Sequence, residues 1–196
     1  MLSKSQGDFL VRLARRTIEN HVQNREIKEC LDANWLNEKR GVFTTIETYP
    51  EHELRGCIGI PYPIKAIGEA VIESAKSACE DMRFPPLTKD ELDMVVIEVS
   101  VLDIPEEIKV KTPKEYLDKI KPKKDGLIIR YGYASGLFLP QVWEKIPDKE
   151  AFLENLCMKA GLPPKTWKLP EAKIYRFSAQ IFKEIKPRGK IVEEVL

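Results

Sequence analysis

A chain of 196 residues that is 43% hydrophobic can bury a substantial core, either as one domain or as two small ones. Its 32 Lys and Arg stand against 31 Asp and Glu, and a net charge of +1 gives no overall field to attract nucleic acid or an anionic membrane. No run approaches the roughly 18 apolar residues of a spanning helix, and Met1 to Gln6 lack a signal-peptide core, so a soluble, cytoplasmic protein with reduced thiols is expected.

From Ser3 to about Gln23, Phe9, Leu10, Leu13, Ala14, Thr17, Ile18 and Val22 recur at helical spacing with arginines opposite, the pattern of an amphipathic helix lying on a core. After a polar stretch from Cys30 to Lys39, the β-branched run Gly41 to Thr48 predicts a strand. Tyr49 to Glu53 predicts the turn that leads back into Leu54 to Gly59, a first hairpin. Pro61 and Pro63 end that strand. Ile64, Ile67, Val71, Ala75 and Ala78 then share one face of a second helix reaching about Glu80. The consecutive prolines of Arg83-Phe84-Pro85-Pro86-Leu87 fix a stiff, non-helical connector.

Met94 to Leu102 is the strongest strand pattern, with Val95, Ile97, Val99 and Val101 on one face and Val96, Glu98, Ser100 and Leu102 on the other. Thr112-Pro113 predicts the start of a short helix that ends before the loop Lys121 to Gly126. Leu127 to Tyr131 and Leu137 to Leu139 predict a second hairpin joined through Gly132 to Gly136. Pro147-Asp148 opens a helix with Phe152, Leu153, Leu156, Cys157 and Ala160 on one face, and Gly161 with Pro163 stops it. Lys173 to Ile185 alternates as one long half-buried strand ahead of a polar tail from Lys186. Hairpins interspersed with helices, without strict βαβ alternation, imply an α+β fold: a largely antiparallel sheet flanked by helices.

The chemistry concentrates in Leu54-Arg55-Gly56-Cys57-Ile58-Gly59. In an extended chain Arg55 and Cys57 share a face with Cα atoms about 6–7 Å apart. Gly56 and Gly59 mark a bulge or a place where backbone or ligand comes close, and they offer bare amides. A guanidinium beside a thiol favours the thiolate, so Cys57 reads as a nucleophile, with a small residue in a crowded sheet as the alternative. Arg55 suits a ligand carboxylate or phosphate, or an internal ion pair for which Glu98 is the expected partner.

Elsewhere the bland reading leads. His52 is a solvated loop residue unless the turn brings it back as a base. Cys157 falls on an apolar helix stripe, and Cys30 and Cys79 have less claim. Lys159 is either a second cation for an anionic ligand or a helix-end lysine favouring the macrodipole. Lys121, Lys123 and Lys124 lack interleaved aromatics and form a solvated turn more readily than an RNA contact. Four scattered cysteines without a C-x-x-C pair, and two histidines, indicate no zinc cluster, no disulfide framework, no metal and no cofactor.

Leu54-Arg55-Gly56-Cys57-Ile58-Gly59, Arg83-Phe84-Pro85-Pro86-Leu87, Glu98-Val99-Ser100-Val101-Leu102, Asp125-Gly126, Leu139-Pro140-Gln141-Val142 and Cys157-Met158-Lys159-Ala160-Gly161 together make the chain resemble the AMMECR family. That family is named after a human critical-region gene linked to Alport syndrome and is also found as stand-alone archaeal and bacterial proteins. Met82 stands where the family more usually has proline. The resemblance implies a two-lobed α+β fold over residues 1–196, one domain or two interleaved subdomains, with the hexapeptide lining a cleft between the lobes; Pro140-Gln141, after an apolar strand, either rims that cleft or ends the strand. It implies no settled activity. Association of prokaryotic relatives with a Memo-like protein and a radical S-adenosylmethionine enzyme leaves enzyme, adaptor and carrier open. The expected function is recognition of a small anionic or thiol-reactive ligand by Arg55, Gly56, Gly59, Glu98, Gln141 and Lys159, with Cys57 as the catalytic candidate. The alternatives are a protein-interaction module and, behind it, RNA binding.

Overall fold

The glycine-cysteine run folds back on the strand before it, as the sequence predicts: β1 (Gly41–Thr48) pairs antiparallel with β2 (Leu54–Ile60). The computed structural model describes residues 1–26 and 31–194, and Cys30 lies outside the described residues. Two compact units are present. The second is Asp103–Ala179, and the first comprises Met1–Leu102 and the segment from Gln180 onward.

In the first unit a five-stranded sheet runs in the order β2-β1-β3-β8-β9, with β3 at Val95–Leu102, β8 at Ala179–Glu184 and β9 at Ile191–Glu194. Helix α1 (Lys4–Val22) begins at a capping box. Ser3 accepts the Gln6 N–H, and the Gln6 side chain accepts the Ser3 N–H. Leu10, Leu13 and Ile18 of α1, with Ala70, Val71 and Ala75 of α2 (Ile67–Cys79), share one apolar core with Val42, Ile46, Ile97 and Val99. Each large side chain so buried contributes ~1.5–3 kcal/mol. The buried Arg15 would be costly alone, but it is paired with Glu184 and also donates to the carbonyls of Leu92 and Val95, tying α1 to the sheet.

In the second unit a four-stranded sheet runs β4-β7-β5-β6, from β4 (Glu106–Glu107), β5 (Gly126–Tyr131), β6 (Ala134–Phe138) and β7 (Lys173–Phe177). Helices α3 (Glu115–Lys119) and α4 (Lys149–Lys159) accompany it. Its core gathers Leu127, Ile129, Ile174, Phe152 and Leu156 around Trp143, whose ring stacks on Phe152 at 3.7 Å. Among the described residues no helix is long and apolar enough to cross a membrane.

The structure corrects four expectations. The β5–β6 hairpin is joined by Gly132 and Tyr133 alone, Gly132 adopting the left-handed φ of +57° that the tight turn requires, so Ala134 to Gly136 are strand. Lys173 to Ile185 is not one strand but β7 and β8, in different sheets. Ser178 interrupts it by giving its carbonyl to the Asp103 N–H and its hydroxyl to the Asp103 carboxylate. The same alternation continues on both sides of that break, which is why the pattern hid it. The polar tail contains β9, anchored by the buried Ile191. Finally, α3 starts at Glu115 rather than at Thr112, because the turns before it close by i→i+3 bonds, Glu115 N–H to the Thr112 carbonyl and Tyr116 N–H to the Pro113 carbonyl, while the Glu115 carboxylate accepts the Thr112 N–H as a capping residue does.

Candidate functional site

Strand β2 lies at the edge of its sheet, and the register slips between Ile46 and Glu47 so that Arg55 falls in a bulge. A Cβ on Gly56 would lie 2.3 Å from the Ala78 carbonyl oxygen, and one on Gly59 would lie 2.3 Å from the Phe43 ring. Glycine is required at both positions for close approach, as the sequence suggests. What approaches is the C-terminal end of α2 and an aromatic ring.

The outer edge of Cys57 is held by the connector. Its N–H donates to Asp81 Oδ2 at 2.9 Å, and its carbonyl accepts Arg83 Nη2 at 3.2 Å. Asp81 and Arg83 pair with each other at 2.6 Å, so together they satisfy the backbone groups that a further strand would have taken. The Arg83 guanidinium, assisted by the Cys57 and Arg83 backbone amides, holds the buried Asp81 carboxyl far below the usual carboxylate range despite the cost of burial.

Arg55 does not meet Glu98. It grips Glu91 in a two-pronged pair, Nε to Oε1 at 2.6 Å and Nη2 to Oε2 at 3.1 Å, and Nη2 also donates to the Pro86 carbonyl. The bulge turns Arg55 toward the connector, whereas Glu98 sits on β3 with β1 in between. Burial works against the Glu91 carboxylate. The hydrogen bonds from Arg55 and from the N–H and hydroxyl of Thr88 outweigh it and hold the carboxyl below its ordinary value. The Phe84 ring lies between two guanidiniums, 5.9 Å from Arg55 Cζ and 5.7 Å from Arg83 Cζ.

What Cys57 shares with Glu98 is a row across three strands, in which Cys57 is register partner of Thr45 and Thr45 of Glu98. The Thr45 hydroxyl donates to Cys57 Sγ at 3.3 Å. Burial pushes the Cys57 thiol up. The Thr45 hydrogen bond and the Arg83 charge oppose it, and the carboxylates of Glu98 and Asp81 add to it. The cation acting on the sulfur is therefore Arg83, not Arg55, and the resting group is a neutral thiol rather than the expected thiolate. It is partly buried, whereas Cys79 and Cys157 are buried. Burial sends the Cys79 thiol to about 12.

Glu98 is 8% exposed and accepts the Ser100 hydroxyl at 3.3 Å. Burial first, and then the nearby Glu47 charge, raise its carboxyl to about 7, with Lys183 opposing. Lys183 Nζ donates to Glu47 at 2.6 Å, and His52 Nδ1 lies 3.3 Å from the same carboxylate. His52 is thus tied to Glu47 on an exposed turn. Gln141, in the turn Pro140–Glu144, and Lys159, which sets Nζ 4.9 Å over the Phe138 ring at the end of α4, belong to the second unit. Cys157 is buried in that unit's core. In the lysine loop the Asp125 carboxylate accepts the Lys121 N–H, closing a turn. Among the described residues no His, Cys, Asp or Glu cluster could hold a metal ion.

The structure adds Thr45, Asp81, Arg83 and Glu91 to the neighbourhood of the hexapeptide. Thr45 is recoverable from a centred hairpin register, and Arg83 stands in a motif the sequence singled out. Asp81 and Glu91 carry no signal of their own, since their roles come from loops that return to the edge of the sheet.

The sequence model of the AMMECR1 family matches residues 11–182. A protein of Methanocaldococcus jannaschii is 52% identical over 202 residues, spanning 100% of this chain and 98% of that relative. One from Methanopyrus kandleri is 47% identical and spans 100% of this chain and 96% of its own length. The crystal structure of an uncharacterized protein from Pyrococcus horikoshii superimposes with a TM-score of 0.92 at 46% identity, covering 100% of this chain and 99% of that one.

Proposed function

This chain belongs to the AMMECR1 family, and we propose that it recognises a small anionic or thiol-reactive ligand at the hexapeptide, with Cys57 as the thiol that meets it. The observation that supports this reading is the row Cys57–Thr45–Glu98: a partly buried thiol, a hydroxyl bonded to it and a buried carboxyl raised to about 7 stand across three neighbouring strands. Arg83, whose side chain is 56% exposed, is the cation that faces solvent beside Cys57. Arg55 is a positioning residue, since its bond to Glu91 fixes the bulged end of β2. A neutral thiol suits a ligand that carries its own reactivity.

Mass spectrometry of small molecules that co-purify with the wild-type chain and with Cys57→Ala tests the reading. A ligand lost with the thiol supports it, and identical small-molecule profiles contradict it. A second reading, a non-enzymatic module for a partner such as a Memo-like or radical S-adenosylmethionine protein, draws on Met82 and Leu54. They are 97% and 42% exposed beside the connector and on β2. That reading makes Met82→Glu, rather than Cys57→Ala, the damaging change.

A further inference from the structure

The second unit holds a groove that takes no part in the chemistry of the hexapeptide. We propose that it binds a small organic anion with an apolar or aromatic body, a carboxylate or phosphate ester of that kind. Four lysines border it, Lys109, Lys111, Lys168 and Lys173, against the single carboxylate of Glu107. Its volume of about 440 Å³ is that of a small-molecule site rather than of a macromolecular surface.

The segment after β4 builds one wall by period-two alternation. Ile108 and Val110 turn inward, buried and half-buried, while Lys109 and Lys111 stay exposed. The wall is held from both ends: the Ile108 N–H donates to the Ile174 carbonyl, and Lys119 Nζ donates to the Lys109 carbonyl at 2.6 Å. Buried Tyr116 gives its hydroxyl to the Ala172 carbonyl at 3.4 Å, leaving its ring as part of the apolar lining with Leu169 and Pro170 across the groove.

The charges decide what such a groove accepts. Lys168 pairs with Glu150, and Lys173 lies 3.8 Å from Glu107. Among the described residues no carboxylate lies within ion-pair range of Lys109 or Lys111. Lys109 and Lys111 therefore border an apolar lining as exposed lysines outside any ion pair, the Glu115 carboxylate being turned onto the Lys111 and Thr112 N–H groups, and a ligand with a charged head and an apolar body suits both features. A second hollow in the unit shows the contrast. It is about 240 Å³, and Asp103, Glu106 and Asp125 offset Lys121, Lys124 and Arg176 there, so it selects no sign of charge.

Phenyl phosphate is the probe, with inorganic phosphate and phenol as its two halves, titrated into the ¹⁵N-labelled full chain while amide shifts are followed. Phenyl phosphate is expected to shift amides in 107–112 and 168–173 saturably, and to bind more tightly than either half alone. The double variant Lys109→Glu with Lys111→Glu changes only exposed side chains, so its spectrum over β5 and α4 stays as in the wild type. Its affinity for phenyl phosphate falls at least about tenfold, as expected when attraction becomes repulsion. Absence of saturable shifts, equal affinity in the variant, or inorganic phosphate binding as tightly as phenyl phosphate would overturn the proposal.

Discussion

Thr45 donates its hydroxyl to the sulfur of Cys57 across the β1–β2 ladder at 3.3 Å. The bond favours the thiolate and partly offsets the burial that raises the thiol. Thr45→Val keeps the shape and removes the donor. Alkylation of Cys57 at a fixed, mildly alkaline pH should then slow about threefold to tenfold, the kinetic equivalent of one hydrogen bond worth ~0.5–1.5 kcal/mol. Intact-mass kinetics with iodoacetamide measure it, and an unchanged or faster rate would remove Thr45 from the site.

Asp81 connects the connector to the strand edge, and its stability contribution has a definite sign. The Arg83 guanidinium holds the folded-state carboxyl below its unfolded value, so the contribution is present above the unfolded value of about 3.9 and is lost as pH falls through the folded one. Asp81→Asn should cost about 1–2 kcal/mol near neutrality, toward the low end because the Arg83 side chain is 56% exposed and screened by water. The difference from wild type should shrink below pH ~4. Denaturant unfolding at several pH values tests this, and a penalty that does not change with pH speaks against the ion pair.

Glu98 has the opposite sign. Burial raises its folded carboxyl to about 7, so between the unfolded value and about 7 the folded chain holds the proton more tightly. Its effect on stability therefore falls as pH rises through that window and is flat above it. Glu98→Gln removes the titration. The variant should gain on wild type by up to ~3 kcal/mol between pH ~4.5 and ~7.5. Parallel stability curves for the two proteins over that range would show that Glu98 titrates as an ordinary surface carboxylate.

The sequence made local pattern legible and left closure in space hidden. The hairpin of β1 and β2, the two long helices and the buried run of β3 follow from alternation, spacing and proline. The break at Ser178 does not, because β7 and β8 keep one alternation while entering different sheets. The same limit governed the site. The close approaches at Gly56 and Gly59 were readable, but the partner of Arg55 depended on a one-residue bulge that diverts it from Glu98 to Glu91. The Arg55-Gly56-Cys57 spacing suggests either an Arg55-assisted thiolate or a small residue in a crowded sheet. Burial and two nearby carboxylates, set by the tertiary fold, oppose the thiolate.

The most direct test of the site is the pH profile of Cys57 labelling in the native protein, read peptide by peptide against Cys79 and Cys157. A partly buried neutral thiol should label ahead of the two fully buried ones, with a rate still climbing beyond the ordinary thiol range of about 8.5–9. A rate already at its plateau near pH 6–7 would reveal a preformed thiolate and contradict the account, as would a Cys57 that stays unlabelled until the chain unfolds.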